Sequence, residues 1–233
     1  MKFFSLKRCF DFLLATSLLL FTLPFFILIS YLIITFDGPP IFYVQKRVGL
    51  MGKQFHIYKF RTMKNKKEKN NKDYPFTIYK DKRVTKVGSF LRNFKLDELP
   101  QLINVLKGDM SFVGPRPELK FFTDLYDKKQ KDIFLIRPGI TDISSLIFRN
   151  ESNFLKEEKN PEFFYINYIL PLKLQLGLIY KKNSNIITDL NIIFITILFI
   201  FINKNLLISD FLIKKNFRKD IFEIEKKISN LSI

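Results

Sequence analysis

Two adjacent carboxylates, Asp97 and Glu98, are the residues best placed in this sequence to do chemistry on a phosphate. Pro100 follows them closely, and proline is tolerated in the first turn of a helix, so Asp97 stands where a helix would begin. A helix N-terminus also attracts phosphate groups. Asp97 is therefore either a helix cap or a carboxylate that works beside a bound phosphate, and its position alone leaves both interpretations open.

Arginines recur in turns that are rich in proline and glycine. Arg116 has a proline on each side, and Arg137 opens the stretch Arg137–Thr141. A proline restricts the backbone before it, so such a turn can hold a guanidinium ready for a bidentate contact with an anion. An ordinary surface arginine is the other interpretation. Arginines in turns suit phosphate binding better than nucleic-acid binding, which favours basic helices or stacked aromatic side chains, so nucleic acid is not an expected partner.

The overall composition points to an anionic partner without naming it. The 233 residues include 39 Lys and Arg against 22 Asp and Glu, a net charge of +17. Phosphorylated substrates, anionic lipids and nucleic acids all fit this excess. Cys9 is the only cysteine and His56 the only histidine, which excludes an internal disulfide and a Cys/His zinc cluster within one chain. The chemistry must come from carboxylates, hydroxyls and bases.

Residues 12–36 form an uncharged segment of 25 residues, long enough to cross a hydrocarbon core of about 30 Å as a helix. Pro24 stands at its middle, where a proline predicts a kink. Basic residues flank both ends, and positive charge marks the cytoplasmic side of a membrane. A bent helix that enters one leaflet and returns accommodates both flanks, whereas a kinked span would place one of them outside. These physical arguments leave both arrangements open.

The rest of the chain alternates short apolar elements with polar connections. Ile41–Val44 and Gln54–Phe60 are rich in β-branched and aromatic residues and predict a hairpin. Lys64–Lys72 is a predicted solvated, mobile loop, and two helices are predicted to meet at Lys95–Asp97. The apolar run at 192–202 predicts a buried or interfacial helix. A tail from Ser209 has apolar residues at helical spacing among basic ones, typical of a membrane-surface helix or a short self-pairing helix.

Several short motifs stand along the chain in a fixed order and cover roughly residues 5–200. They are Lys7–Asp11, the apolar segment with Pro24, Tyr58–Met63, Asp81–Gly88, Leu96–Leu102, Gly108–Ser111, Gly114–Pro117 and Arg137–Thr141. As an ordered set they resemble the monotopic polyprenyl-phosphate phosphoglycosyl transferases, also called the bacterial sugar transferase family. After Thr141 this chain departs from the family pattern, because Asp142–Glu151 replaces a stretch that begins with glycine in many members.

The resemblance implies an enzyme that moves a sugar 1-phosphate from a UDP-sugar to undecaprenyl phosphate and releases UMP. It implies that Asp97 is the nucleophile and forms an aspartyl-phosphosugar intermediate. It also implies that Glu98 assists, with Mg²⁺ held by Asp97 and Glu98 at the diphosphate. The residues that it implies for substrate and phosphate binding are Lys59, Arg61, Arg92, Arg116, Arg137 and Arg149.

The fold class expected is α+β, mostly helical. Its parts are a re-entrant helix-break-helix with the break at Pro24 (residues 1–40), a cytoplasmic transferase domain (41–205) and a basic amphipathic tail (206–233). The domain would contain the hairpin and amphipathic membrane-surface helices, and the protein would sit on the cytoplasmic face of a bacterial inner membrane. Membrane lipid, downstream glycosyl transferases and an oligomeric state are further expectations for a first step in capsule, lipopolysaccharide or related glycan assembly.

A non-catalytic, membrane-anchored module that binds anionic lipid or glycan-assembly proteins is the alternative. The adjacent carboxylates argue against it, because a surface that binds anionic lipid gains nothing from acidic residues placed among arginines. The sequence names neither the sugar nor the glycan pathway.

Overall fold

The computed structural model describes residues 2–64, 81–149, 151–156, 158, 160–201, 208–212 and 215–229. The predicted loop at Lys64–Lys72 lies outside these residues apart from Lys64 itself. The described part is α+β and mostly helical, which confirms the expected fold class.

The helices and strands follow one another in the order below. They are α1 (Lys2–Asp37), β1 (Phe42–Val48), β2 (Gln54–Phe60), α2 (Lys86–Asn93), α3 (Gln101–Lys107), β3 (Ser111–Val113), α4 (Lys120–Thr123), β4 (Gly139–Thr141), α5 (Ile143–Ile147), α6 (Glu151–Phe154), α7 (Pro161–Phe164), α8 (Leu170–Asn183), α9 (Ile186–Phe201) and α10 (Lys215–Ser229). Short 3₁₀ turns cover Leu50–Gly52, Leu96–Glu98, Gln130–Leu135 and Ile208–Phe211, and a π-helical segment covers Tyr165–Ile169.

The predicted hairpin is confirmed: β1 and β2 pair antiparallel, with Phe42 opposite Phe60 and Val48 opposite Gln54. The buried Asn104 fastens this hairpin to α3. Its side-chain oxygen accepts a hydrogen bond from the backbone N–H of Tyr58 at 3.1 Å, and its amide group donates to the carbonyl of His56 at 2.7 Å. The hairpin therefore cannot shift along α3 without breaking both bonds.

Both ends of the 36-residue helix α1 pack on the same domain. Near its start, Arg8 donates to two carbonyl groups at the end of α3, and Asp11 accepts from the backbone N–H of Phe112 at 3.2 Å. Near its other end, Ile29 and Ile33 are buried in a small apolar cluster with residues of β2 and α2. The helix is thus held to the domain on both sides of its midpoint.

The stretch of α1 around Pro24 has little protein cover. From Leu20 to Phe25, about one and a half turns, every residue is exposed except Thr22, which is partly exposed. Helical structure continues through Pro24, so the expected break is not an interruption of the helix. The part of the helix at Leu6–Asp37 is long enough and apolar enough to cross a membrane.

Helix α10 confirms the predicted amphipathic helix but not a free apolar face. The side chains of Phe217, Ile221, Ile224 and Ile228 are buried in the main hydrophobic core, and the helix packs on α8 and the 208–211 turn. These apolar residues are therefore not available to a membrane or to a second copy of the helix. The spacing of apolar residues is the same for a helix that packs on a protein core and for one that lies on a membrane. The sequence therefore predicted a membrane surface or a second helix where the structure has the main core.

Helix α9 has two apolar faces. One face, with Ile192, Ile195 and Phe199, is buried in the main core. The opposite face exposes four large apolar side chains at helical spacing, namely Ile187, Leu190, Phe194 and Ile197. The prediction of a buried or interfacial helix is thus confirmed for the first face, and the second face has no cover within the described residues.

Gly88 sets how closely α2 approaches the end of β2. A Cβ atom at this position would lie 2.2 Å from the carbonyl oxygen of Thr62, closer than van der Waals contact allows. The side-chain hydroxyl of Thr85 caps α2 by accepting from the Gly88 N–H at 2.8 Å. Glycine is therefore needed here for space.

We expect Gly88→Ala to lower the free energy of unfolding by about 2 kcal/mol or more, because the added methyl group must push α2 away from Thr62. Thermal or denaturant unfolding of the purified protein in detergent measures the change. Ser89→Ala, at the exposed neighbouring position of the same helix, is the control and should change stability little. Equal stability of Gly88→Ala and the native protein would contradict this close packing.

Candidate active site

The two carboxylates lie on a tight turn between α2 and α3. Lys95 adopts a left-handed backbone conformation (φ 58°, ψ 18°), which turns the chain away from the end of α2, and Leu96–Glu98 then forms a 3₁₀ turn. Helix α3 begins after Pro100, and no side chain caps it. Asp97 is therefore not the cap of α3, and the helix-cap interpretation was wrong.

Glu98 is held by two cations from different parts of the chain. Its Oε1 accepts from Lys59 Nζ of β2 at 2.7 Å and from Arg116 Nη2 of the Gly114–Pro117 turn at 2.8 Å. Burial alone would raise the pKa of the Glu98 carboxyl, but Arg116 and Lys59 outweigh burial and hold this pKa well below its usual range. Glu98 is thus an ionised, fixed carboxylate with a spare oxygen.

Asp97 has a different environment although it is equally buried, at 8% exposed. Within the described part of the chain no group donates a hydrogen bond to its carboxylate. Burial raises the pKa of Asp97, as does the charge of Glu98, whereas the charges of Lys59, Lys95 and Arg92 oppose the rise. A desolvated carboxylate without hydrogen bonds is a better nucleophile than a solvated one, because no donor shares its electron pairs.

Three of the residues expected to bind phosphate surround this pair. Lys59 and Arg116 contact Glu98 directly, and Arg92 acts on Asp97 through its charge. Burial lowers the pKa of the Arg92 guanidinium, and Asp97 partly offsets this. Its Nε donates to the Thr62 hydroxyl at 2.8 Å, which fixes the direction of the guanidinium.

The other three expected phosphate ligands have different surroundings. Arg61 is buried and donates to the carbonyl groups of Asp37, Gly38 and Pro39, so it fastens the connection between α1 and β1. Arg137 donates from Nε to the carbonyl of Gly108 at 2.8 Å and lines a small pocket next to Lys7, Arg8 and Asp11 of α1. The Arg149 guanidinium lies 6.0 Å from the ring centre of Phe199 in α9. The structure does not bring these three arginines into contact with Asp97 or Glu98.

Asp142 is a site residue that sequence reasoning missed. Its carboxylate accepts from the backbone N–H of Arg116 at 3.4 Å and from the N–H of Ser145 at 2.8 Å, so it caps α5 and contacts the Arg116 turn at once. The cap could have been recognised, since aspartate before a helix is a common N-cap. The contact with Arg116 has no signal in the sequence, because the two residues stand 26 positions apart.

The carboxylate pair can offer oxygen ligands to a divalent cation. Among the described residues there is no group of three or more His, Cys, Asp or Glu side chains that could hold a metal by itself. Two adjacent carboxylates, one without hydrogen bonds and one with a spare oxygen, do fit a cation that also binds substrate phosphates. Mg²⁺ is commonly bound in this way, through one or two carboxylates together with phosphate oxygens.

The sequence model of a known family matches nearly the whole chain. The model described as bacterial sugar transferase matches residues 2–203. The chain belongs to the bacterial sugar transferase family. This finding confirms the resemblance inferred from the ordered motifs.

Characterised and uncharacterised relatives in this family cover most of this sugar transferase. The uncharacterized sugar transferase EpsL of Bacillus subtilis is 37% identical over 82% of this chain and 85% of its own length. The exopolysaccharide production protein ExoY of Sinorhizobium fredii is 33% identical over 82% of this chain and 83% of its own length. The Escherichia coli UDP-glucose:undecaprenyl-phosphate glucose-1-phosphate transferase is 37% identical over 85% of this chain but only 41% of its own length.

We expect the two carboxylates of this sugar transferase to differ in their effect on stability when each is replaced by its amide. Glu98→Gln leaves the partly buried cations Lys59 and Arg116 without their anion and should cost about 2 kcal/mol at pH 7, less than the loss of a fully buried pair because solvent screens Arg116. Asp97→Asn should be neutral or stabilising, because the raised pKa means that the fold disfavours the ionised form. Unfolding in detergent with EDTA, followed by circular dichroism, compares the two variants.

The stability difference between the native protein and Glu98→Gln depends on pH through the depressed pKa of Glu98. The folded-state pKa of Glu98 is depressed, so its stabilising contribution is complete above its ordinary value of 4.5 and is lost as the pH falls through the folded value. The stability gap between the native protein and Glu98→Gln should therefore stay constant from pH 7 to about 5 and narrow only below that. A gap that closes near neutral pH would contradict the ion pairs at Glu98.

Proposed function

We propose that this protein transfers a sugar 1-phosphate from a UDP-sugar to undecaprenyl phosphate and releases UMP. Membership of the bacterial sugar transferase family and the names of its relatives support sugar-phosphate transfer onto undecaprenyl phosphate in bacterial glycan assembly. The observation that carries the finer proposal is the contrast within the pair: Glu98 is held by two cations, while Asp97 is buried beside it and accepts no hydrogen bond from any described residue.

In the first half-reaction Asp97 attacks the β-phosphorus of the UDP-sugar. A bond forms between a carboxylate oxygen and this phosphorus, and the bond from the phosphorus to the bridging oxygen breaks. UMP leaves with that oxygen, and the sugar phosphate remains on Asp97 as an acyl phosphate. Covalent catalysis of this kind divides one difficult transfer into two easier ones, so the donor and the acceptor need not be bound together.

In the second half-reaction a phosphate oxygen of undecaprenyl phosphate attacks the phosphorus of the acyl phosphate. The bond between this phosphorus and the Asp97 oxygen breaks, which regenerates the carboxylate and gives the lipid-linked diphosphate sugar. Neither half-reaction requires a proton from the protein, because the nucleophile is an anion in both. This agrees with a site built from carboxylates and the cations of lysine and arginine, without a histidine.

The cations around Asp97 counter the charge that gathers at the reacting phosphorus. Arg92, Lys59 and Arg116 come from three different elements, and Thr62 and Glu98 fix the directions of their side chains. Fixed cations stabilise a phosphoryl transition state without reorganising during the reaction. Mg²⁺ held by Asp97, the spare oxygen of Glu98 and the diphosphate would supply further neutralisation of the phosphate oxygens.

We also propose that α1 is re-entrant and that both of its ends lie on the cytoplasmic face of the inner membrane. The contacts of Arg8 and Asp11 at one end, and of Ile29 and Ile33 at the other, support this arrangement because they join both ends to one domain. The uncovered middle around Pro24 would be the part that enters the lipid. Basic residues on both flanks agree with a cytoplasmic position for each.

Asp97→Asn should abolish both UMP release and formation of the covalent adduct, because an amide has no charge to attack phosphorus. The measurement is the intact-protein mass after incubation with UDP-sugars and Mg²⁺ in the absence of acceptor. The native protein should gain the mass of a sugar phosphate and release UMP, and a release of UDP would contradict the mechanism.

The Glu98→Gln variant is the matched comparison, since it also removes one negative charge from the pair. This variant should retain weak adduct formation, because Asp97, and not Glu98, attacks phosphorus in the proposed mechanism. An adduct that still forms on Asp97→Asn would rule out Asp97 as the nucleophile.

The topology can be tested by labelling single cysteines placed at Lys2 and Lys53 in a Cys9→Ser background. A membrane-impermeant maleimide added to intact spheroplasts should label neither site, and both should react after the membrane is permeabilised. A single cysteine on the periplasmic side of a control membrane protein verifies that the reagent reaches the outer face. Labelling of either site in intact spheroplasts would establish a span in place of a re-entrant helix.

A further inference from the structure

We propose that Phe90, Phe94 and Lys95, named here the acceptor edge, bind the phosphate group and the first isoprene units of the lipid acceptor. This inference rests on the proposed function, because it assigns the site of its second substrate. The three residues lie at the end of α2 and in the turn that leads directly to Asp97.

Lys95 is unusual in both its backbone and its side chain. Its φ of 58° lies in the left-handed region, which glycine or asparagine normally occupies after a helix because a Cβ atom is strained there. The side chain is exposed, and within the described residues its ammonium group makes no hydrogen bond or ion pair. A lysine in a strained backbone conformation beside two carboxylates is a candidate for a functional charge.

The neighbouring cations are already engaged within the protein. Lys59 and Arg116 both bind Oε1 of Glu98, and Arg92 donates to Thr62. Lys95 acts on the same two carboxylates through its charge, which places it close to the reacting group without a partner of its own. An incoming phosphate that must reach Asp97 therefore meets Lys95 as a cation with unused donors.

Phe90 and Phe94 form an exposed aromatic pair immediately before this lysine. Their ring centres are 5.0 Å apart, and the residues are 55% and 43% exposed. Leu91, between them on the same helix, is buried against Ile29 and Ile33 of α1. The aromatic pair thus lies beside the contact between α2 and the apolar helix, whose residues Tyr31 and Ile34 are themselves exposed.

This combination fits the acceptor better than the donor. A polyprenyl phosphate has one anionic group joined to a long branched apolar chain, so its phosphate can meet Lys95 while its chain lies on the phenylalanines and α1. The uracil ring of a UDP-sugar can stack on one phenyl ring, but a UDP-sugar has no long apolar chain to lie along the exposed side chains of α1. The phenylalanines lie near α1 and the lysine lies next to Asp97. An amphiphile that arrives from the lipid would therefore place its chain on the phenylalanines and its phosphate near Asp97.

The test measures binding and the two half-reactions separately, on the full-length protein in detergent. Farnesyl phosphate, titrated without any UDP-sugar, should bind at least tenfold more weakly to Phe90→Ala/Phe94→Ala and to Lys95→Gln. Both variants should raise the KM for undecaprenyl phosphate by a similar factor, while the rate of adduct formation without acceptor should fall less than threefold. Phe121→Ala and Lys86→Gln, exposed residues outside the site, are the matched controls and should behave as the native protein.

Lys95→Gly separates charge from backbone strain. It relieves the left-handed conformation and should be at least as stable as the native protein, yet it should bind farnesyl phosphate as weakly as Lys95→Gln. Unchanged farnesyl phosphate binding in the acceptor-edge variants would overturn this proposal even if the enzyme is active. Failure of the native protein to form an adduct would instead count against the proposed function, because the binding arm does not depend on it.

Discussion

The structure of the site depends on one oxygen atom, Oε1 of Glu98, which accepts from both Lys59 and Arg116. This contact joins three separate elements, since the lysine comes from β2, the arginine from the turn after β3 and the glutamate from the turn before α3. It also makes the burial of two adjacent carboxylates tolerable, because an ionised buried group is stable only when it is paired and hydrogen-bonded. Glu98 takes most of this compensation, and Asp97 is left desolvated, with a raised pKa.

The turn that carries Arg116 is itself held by a second turn. Gly114 and Gly139 approach so closely that a Cβ atom on Gly139 would lie 2.1 Å from the Gly114 nitrogen, and the Gly139 N–H donates to the carbonyl of Pro115 at 3.1 Å. The two arginine turns that look like independent phosphate ligands in the sequence are therefore one structural unit. Arg116 contacts Glu98, and the turn that begins at Arg137 supports the Arg116 turn through backbone contacts.

Sequence patterns predicted the secondary-structure elements, which depend on local composition and spacing. They did not predict the contacts of side chains whose partners are distant in the sequence. The hairpin, the helices on each side of Asp97 and the amphipathic tail helix follow from spacing and composition, and all are present. Arginine type and turn context could not tell that Arg61 would bind three backbone carbonyls while Arg116 would bind Glu98, because the two partners are set by tertiary packing. The family resemblance supplied the candidate role of Asp97, and only the turn geometry removed the helix-cap interpretation.

The apolar helix α1 and the candidate site are connected through α2. The Thr85 hydroxyl caps α2 and also donates to Asp37 Oδ2 at the end of α1 at 2.8 Å, so one side chain joins the two helices. Leu91 packs on α1 from the same side, and Arg92 next to it acts on Asp97. In the proposed mechanism Asp97 must meet a lipid-linked phosphate at a fixed height above the membrane, since a displacement of about 1 Å is enough to slow such a reaction greatly. The short path from α1 through α2 to Asp97 would provide that fixed height, because it joins the apolar helix to the candidate site through packed side chains.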